Sequence, residues 1–157
     1  MSDRSVKHGE FELERVYSAS PPQVFAAFAD REAKERWFAA PTEWGRSQYE
    51  LDFRVGGREV NKAATPGGSV HTFDAVYRDI VDDERIVYTY EMYRDDALMS
   101  VSLATVELLP EDDGTHLILT ESGVFFDGRD KPIWREEGTN NLLDALGAVL
   151  GGTMSDE

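Results

Sequence analysis

The chain has 157 residues and a mass of 17.6 kDa, the usual size of one domain with its own core. Its 16 basic and 31 acidic residues give a net charge of -15, which repels phosphate backbones and argues against nucleic acid as a partner. The absence of cysteine excludes disulfides and thiolate metal sites.

The first part of the chain predicts a strand and then two short helices. Residues 10–19 alternate between apolar side chains and glutamates, which is the period of a half-buried strand. Ser20 is a candidate N-cap for the first helix, because the prolines that follow it are tolerated in a first turn. Asp30 is a candidate cap for a second helix over residues 31–38, which ends before Pro41.

The middle of the chain reads as six further strands. They are predicted over residues 48–55, 58–63, 70–81, 85–94, 98–109 and 115–121. Short links rich in glycine, proline and aspartate separate them, at residues 56–57, 66–68, 82–83, 95–96 and 111–114. Links this short between successive strands predict an antiparallel meander.

The last predicted element is a long helix over residues 133–150. Leu142 and Leu146 belong to its apolar face, and Gly151-Gly152 marks its end. Residues 153–157 are expected to fray. The order of elements predicts an α+β protein with the helices on one face of the sheet. We expect a single domain over residues 1–157 with an ordered core of about 9–151, located in the cytoplasm and not inserted in a membrane, since no apolar run approaches roughly 20 residues.

Several short motifs, in this order and spacing, resemble a known family. They are Arg15-Val16-Tyr17 with Ala19 and Pro22, Asp30 with Arg36-Trp37-Phe38, residues 52–58, residues 82–91, residues 105–108, Gly114-Thr115-His116-Leu117 and Thr120-Glu121. The chain resembles bacterial homologues of the C-terminal domain of the heat-shock-protein-90 ATPase activator, within the START-like (SRPBCC, pollen-allergen-like) superfamily. The resemblance runs along nearly the whole chain.

The resemblance implies a helix-grip fold, in which a curved antiparallel sheet of about seven strands wraps around the long C-terminal helix. It also implies an apolar cavity between sheet and helix, and chaperone contact as one role within the family. Where the family usually has a Gly-Trp pair at the start of the terminal helix, this chain has Gly138-Thr139, and Trp134 lies one turn earlier. This departure is expected to reshape the cavity.

The side chains expected to line the cavity are mostly aromatic and aliphatic. They are Trp37, Phe38, Trp44, Tyr49, Phe53, Phe73, Tyr88, Tyr90, Met92, Val101, Leu103, Leu119, Glu121, Phe126, Trp134, Asn141, Leu142 and Leu146. Burial of apolar surface alone gives weak and promiscuous binding, so selectivity requires polar anchors. The candidate anchors are Tyr88, Tyr90, Glu121, Arg15 and Asn141.

Catalytic and metal-binding motifs are not evident in the sequence. Gly56-Gly57 lies between two strands, where glycine more often supplies a positive φ than a phosphate site. The three histidines lack the spacing of metal ligands, so we expect no metal and no cofactor. Ser122-Gly123 lacks the flanking residues of a nucleophile elbow. Glu121 or His71 can act as an acid or base if desolvated, although a structural hydrogen bond is the commoner role.

Three functions remain open at this point. The first is binding of a small hydrophobic or aromatic molecule, such as a lipid, flavonoid or polyketide-like compound, without chemistry. The second is a cyclase or hydrolase-type enzyme that uses the same cavity. The third is a stress-linked interaction module that contacts a chaperone, and the protein is expected to be a monomer or a homodimer.

Overall fold

The computed structural model describes residues 4–38 and 45–151, which form three helices and one seven-stranded sheet. The elements are β1 (Val6–Tyr17), α1 (Pro21–Ala29), α2 (Arg31–Trp37), β2 (Gly45–Leu51), β3 (Arg58–Ala64), β4 (Val70–Val81), β5 (Arg85–Arg94), β6 (Ala97–Glu111), β7 (Gly114–Phe126) and α3 (Pro132–Val149). The strand order is β1-β7-β6-β5-β4-β3-β2, antiparallel throughout. The curved sheet with α3 packed across it confirms the predicted α+β helix-grip class.

Three strands differ from the sequence prediction by four residues or more at one end. β1 begins at Val6 and β7 ends at Phe126, because the two strands pair along their whole length, with Val6 opposite Phe126. The first residues of β1 are exposed, so they carry no alternating pattern that could reveal the strand. β2 ends at Leu51 instead of residue 55, since the chain turns there and Gly57 N donates to the Arg54 carbonyl at 2.8 Å.

Both short helices begin at the predicted caps. The Ser20 hydroxyl accepts a hydrogen bond from Gln23 N, and the Gln23 side chain completes a capping box with the Ser20 backbone. Asp30 Oδ2 accepts from Ala33 N at 3.0 Å and so begins α2 directly after α1. The tight junction fixes the angle between the helices and carries Trp37 under α1, where its indole N–H donates to the Ala27 carbonyl at 3.0 Å.

The terminal helix α3 lies against the inner face of the sheet and is held at both ends. A Cβ atom at Gly9 of β1 would lie 2.5 Å from Pro132 Cβ, so only glycine permits the start of α3 to approach β1 this closely. Further along, Leu143 and Leu146 are buried in the core, and the Tyr17 hydroxyl donates to the Leu143 carbonyl at 2.7 Å. None of the helices in the described part of the chain is long and apolar enough to cross a membrane.

A buried ion pair ties α2 to β3. Lys34 Nζ lies 3.0 Å from Glu59 Oε1, and the two side chains are 5% and 1% exposed. Tyr77 donates to Glu59 Oε1 at 2.5 Å, and Tyr49 donates to Oε2 at 2.8 Å. Both carboxylate oxygens therefore receive hydrogen bonds, which is the condition under which a buried charge pair is tolerated. No periodicity in the sequence predicts this ion pair, because Lys34 and Glu59 are 25 residues apart.

Replacing the lysine of this pair is expected to destabilise the protein strongly. Lys34→Met leaves the Glu59 carboxylate buried without its counter-charge and should lower the free energy of unfolding by about 3–5 kcal/mol in urea titrations. The control is Arg54→Met, which breaks the exposed Arg54–Asp52 ion pair and should cost no more than about 1 kcal/mol. The double variant Lys34→Met/Glu59→Gln should recover part of the loss. Equal costs at Lys34 and Arg54 would show that the buried pair does not hold the fold.

Candidate functional site: the cavity under the terminal helix

A partly enclosed cavity of about 260 Å³ lies between the inner face of the sheet, α2 and α3. Its walls come from both short helices, from four strands and from one side of α3. The lining residues are Phe28, Lys34, Trp37, Phe38, Asn61, Ala63, His71, Phe73, Tyr88, Tyr90, Met92, Leu119, Glu121, Arg135, Gly138, Thr139, Leu142 and Leu143. The surface is mainly apolar and aromatic, with a few polar side chains among them.

Aromatic rings form a continuous wall along the cavity. Trp37 and Phe38 meet edge to face with ring centroids 5.7 Å apart, and Phe38 meets Phe73 at 4.9 Å. Phe73 in turn lies 4.9 Å from Tyr90, with the rings tilted by 38°. The chain of rings therefore runs from α2 across β4 to β5. Rigid aromatic faces of this kind favour flat, apolar ligands.

One group of polar side chains lies where α3 meets β5 and β7. The Tyr90 hydroxyl donates a short hydrogen bond to Glu121 Oε2, and Arg135 Nη1 lies 3.3 Å from both Tyr90 Oη and Ser100 Oγ. The other terminal nitrogen of Arg135 forms a short ion pair with Asp130. This group, which we call the Glu121 cluster, joins the start of α3 to the sheet and presents a carboxyl to the cavity.

Burial changes the acidity of the groups that line the cavity. It raises the pKa of Glu121 from 4.5 to about 7, while the hydrogen bond from Tyr90 and the charge of Arg135 act in the opposite direction. Burial also raises the pKa of Tyr88 and Tyr90 well above that of an exposed tyrosine, so both phenols stay protonated. The pKa of His71 is lowered by burial and by the charge of Arg94. Glu121 is thus the group whose charge changes near neutral pH.

A second polar group lies at the opposite end of the aromatic wall. Lys34 Nζ, bound to Glu59, sits 4.5 Å from the centroid of the Phe38 ring, a cation–π distance. Asn61 Nδ2 donates to the Phe38 carbonyl at 3.2 Å. Asn61 lies two residues after Glu59 on β3, so both side chains are on the same face of the strand.

The structure brings together half of the residues that the sequence suggested for the cavity. Those that line it are Trp37, Phe38, Phe73, Tyr88, Tyr90, Met92, Leu119, Glu121 and Leu142. Most come from alternate positions of β4, β5 and β7, where the period of two identifies one face. Of the five candidate anchors, Tyr88, Tyr90 and Glu121 lie in the wall, but Arg15 binds Asp144 at the surface of α3, with a shortest distance of 3.2 Å.

Five of the suggested residues face away from the cavity. Val101 and Leu103 of β6 are 36% and 46% exposed on the outer face of the sheet, because their buried neighbour Ser102 takes the inner face. Phe126 likewise alternates with buried Phe125, whose ring lies 5.7 Å from the Arg135 guanidinium. On α3, Trp134 and Asn141 are exposed, and Lys131 Nζ lies 4.9 Å from the centroid of the Trp134 ring.

Three other suggested residues belong to the packed interior instead. Tyr49 is buried beside Glu59, where it donates its hydroxyl. Phe53 packs edge to face against Phe25 and Tyr77, with centroids 5.5 Å and 4.9 Å away. Leu146 is completely buried in the core one turn beyond the cavity. Trp44 lies outside the described residues.

The side of α3 that lines the cavity was only partly recognised in the sequence. Arg135, Gly138, Thr139, Leu142 and Leu143 follow the i, i+3, i+4, i+7, i+8 spacing of one helix face. The helical spacing of these residues is visible in the sequence. However, this face combines a charged residue, a glycine and a threonine with two leucines, so a search for apolar periodicity does not identify it. Lys34, Asn61 and Ala63 gave no signal, since their place depends on the pairing of β3.

The geometry defines a class of protein, a helix-grip fold with a ligand-sized cavity beneath its terminal helix. The family model for activator of Hsp90 ATPase homolog 1-like proteins matches residues 18–151. The chain therefore belongs to this family. The comparison with curated proteins gave no match.

Solved structures agree with this assignment. A protein from Rhizobium loti is 48% identical, with a TM-score of 0.86, and the match covers 93% of this chain and 99% of that one. A protein from Rhizobium leguminosarum is 42% identical, with a TM-score of 0.89 and coverage of 94% and 97%. An AHSA1-like protein from Aeromonas hydrophila, 20% identical with a TM-score of 0.64 over 89% of this chain and 90% of that one, shares the fold.

The raised pKa of Glu121 predicts a specific dependence of stability on pH. Between pH 4.5 and about 7 the folded state binds the Glu121 proton more tightly than the unfolded state does. The contribution of this proton to the free energy of unfolding is therefore complete below pH 4.5 and is lost as the pH rises to about 7. This contribution to the free energy of unfolding is about 3 kcal/mol. Glu121→Gln should therefore gain stability relative to the wild type by about this amount over that range, measured by urea unfolding.

A direct titration checks the same point. The Glu121 carboxyl carbon, followed by ¹³C NMR, should titrate with a midpoint near pH 7, and Arg135→Met should move the midpoint upward because the guanidinium charge lowers this pKa. Glu12→Gln on the exposed side of β1 controls for the change in net charge. A midpoint at or below pH 4.5 would contradict the desolvated position of Glu121.

Proposed function

We propose that the protein binds a small, flat, largely apolar molecule in the cavity between the sheet and α3. The observation that carries the proposal is the open space of about 260 Å³ beside the rings of Trp37, Phe38 and Phe73. Protein interiors are normally packed to the density of organic crystals, so an apolar space of this size beside the core is unusual. Such a space is suited to a bound molecule.

The size of the cavity limits the ligand. A dry cavity of roughly 150 Å³ holds one benzene, so about 260 Å³ suits a fused two-ring system or an equally short aliphatic chain. A ligand that buries roughly 300 Å² gains about 7 kcal/mol from transfer, against at least ~4 kcal/mol for the loss of translational and rotational freedom. The remainder gives weak binding, so the polar groups must supply selectivity.

The charges favour a neutral ligand. The ammonium of Lys34 is already balanced by Glu59, and the guanidinium of Arg135 by Asp130. The net charge of -15 repels anions in solution. An uncharged molecule with apolar faces and a small number of polar substituents therefore fits the cavity better than a fatty acid anion or a cation.

Filling the cavity from α3 is expected to abolish ligand binding. Leu142→Trp places a bulky side chain in the space, and the affinity for the neutral two-ring fluorophore 1-naphthylamine should fall at least tenfold, together with the ligand-induced rise in melting temperature. Asn141→Trp is the matched control, because it adds the same side chain at the adjacent, exposed position. The control should bind the fluorophore as the wild type does.

A second variant tests the same site in case Leu142→Trp does not fold. Gly138 lines the cavity, and a Cβ atom there would meet nothing within 4 Å, so Gly138→Leu adds a side chain at the cavity wall without a clash and improves helix propensity. It should remove fluorophore binding as well. Undiminished binding by folded Leu142→Trp and Gly138→Leu would refute the cavity as the ligand site.

Acid–base catalysis in the same cavity is the second candidate function. It is favoured by one observation, the buried Glu121 carboxyl whose pKa of about 7 lets it hold or release a proton near neutrality. A molecule that binds the wild type should be incubated with the protein and analysed by mass spectrometry. Conversion that disappears in Glu121→Gln while binding persists would identify an enzyme, and recovery of the unchanged ligand would leave a binding protein.

A further inference from the structure

The hydroxyl group of Tyr88 is open to the cavity and has no hydrogen-bond partner in the described part of the chain. The side chain lines the cavity from the inner face of β5 and is half-buried. Among residues 4–38 and 45–151, two unpartnered side-chain atoms are closed off from water, and they belong to Asn61 and Ser102. The Tyr88 oxygen is not one of them, so a molecule in the cavity can reach it.

Tyr88 differs in this respect from the other five tyrosines of the chain, which all donate their hydroxyls within the protein. The five and their acceptors are Tyr17 with the Leu143 carbonyl, Tyr49 and Tyr77 with Glu59, Tyr90 with Glu121, and Tyr93 with Glu91. A phenolic hydroxyl is a donor as well as an acceptor. The Tyr88 O–H is therefore available to a ligand, and an apolar cavity favours any ligand that accepts its hydrogen bond.

The surroundings of Tyr88 keep its hydroxyl in the donor form. Tyr88 lies opposite Ala104 of β6, which in turn lies opposite Glu121 of β7, so the three form one row across the inner face of the sheet. Burial first, and then the charges of Glu121 and Glu59, raise the pKa of Tyr88, so its hydroxyl stays protonated. The Tyr88 ring lies 6.0 Å from the ring of Tyr90 and continues the aromatic wall.

We infer that the Tyr88 hydroxyl anchors the ligand by donating a hydrogen bond to a carbonyl oxygen that is conjugated to an aromatic ring. The inference rests on the proposed function, because it concerns the same cavity. A carbonyl oxygen accepts without adding a donor that would need its own partner, and conjugation keeps it in the plane of the ring. A carboxylate would be repelled by Glu121 and Glu59, whose charges already act on Tyr88. The ligand class is thus a neutral aryl ketone or an aromatic lactone.

Two probes of nearly equal shape test the inference. 1-Tetralone carries a carbonyl beside its aromatic ring, and tetralin is the same two-ring frame without the carbonyl. In isothermal titration calorimetry, Tyr88→Phe should weaken the binding of 1-tetralone roughly fivefold to tenfold and leave that of tetralin within about twofold of the wild type, because only the hydroxyl is removed.

Tyr93→Phe is the matched control on the same strand. Tyr93 lies outside the cavity, and its hydroxyl donates to Glu91 at 2.7 Å. This variant should bind both probes as the wild type does. Tyr88→Phe should fold, because the hydroxyl that it removes is bonded to no other described residue, and its urea midpoint should equal or exceed that of the wild type.

The carbonyl stretching band of bound 1-tetralone reports on the hydrogen bond directly. It should lie at a lower wavenumber in the wild type than in Tyr88→Phe, because a hydrogen bond weakens the C=O bond. A band at the same position in both proteins, an unchanged affinity for 1-tetralone in the variant, or equal losses for the two probes would overturn the Tyr88 anchor and leave the proposed function intact. If neither probe nor 1-naphthylamine binds the wild type, the cavity itself is rejected as a ligand site.

Discussion

The rest of the structure depends on the buried ion pair between Lys34 of α2 and Glu59 of β3. Its two charges lie 3.0 Å apart and are almost completely hidden from water, and the carboxylate is saturated by the hydroxyls of Tyr49 and Tyr77. Such a pair is tolerated only in one arrangement, because any displacement leaves a charge without its partner in a medium of low polarity. The pair therefore fixes where α2 lies on the sheet, and with it one wall of the cavity.

The cavity follows from how the two sides of the molecule are fastened. At one side the ion pair and the edge-to-face contact of Phe28 with Trp37 hold α2. At the other side Arg135 and Asp130 hold the first turns of α3 beside Phe125. Between these fixed points α3 lines the cavity with Gly138, which has no side chain, and Thr139, which has a short one. The polar contacts on both sides and the apolar packing of Leu143 and Leu146 together set the separation between α3 and the sheet.

The sequence predicted the fold better than the site, and particular residues show why. Phe73, Tyr90 and Glu121, which were suggested from alternation, lie in the wall of the cavity, and the caps at Ser20 and Asp30 began helices as predicted. The same rule failed for Val101 and Leu103, because an exposed apolar residue on the outer face of a sheet has the same pattern as a buried one on the inner face. Only the neighbours of β6 decide which face is covered.

By itself, then, the amino-acid sequence determined the elements, their order, the antiparallel meander and the α+β class, since these depend on local propensity, periodicity and short links between strands. The helix-grip fold was implied by the resemblance to a known family. The tertiary structure alone decided which side of α3 faces the sheet, how β1 and β7 pair along their full length, and which charges meet. Lys34 and Glu59 are 25 residues apart, and Arg135 and Tyr90 are 45 apart. Such contacts have no periodic signature, because burial and strand register, not spacing along the chain, bring the partners together.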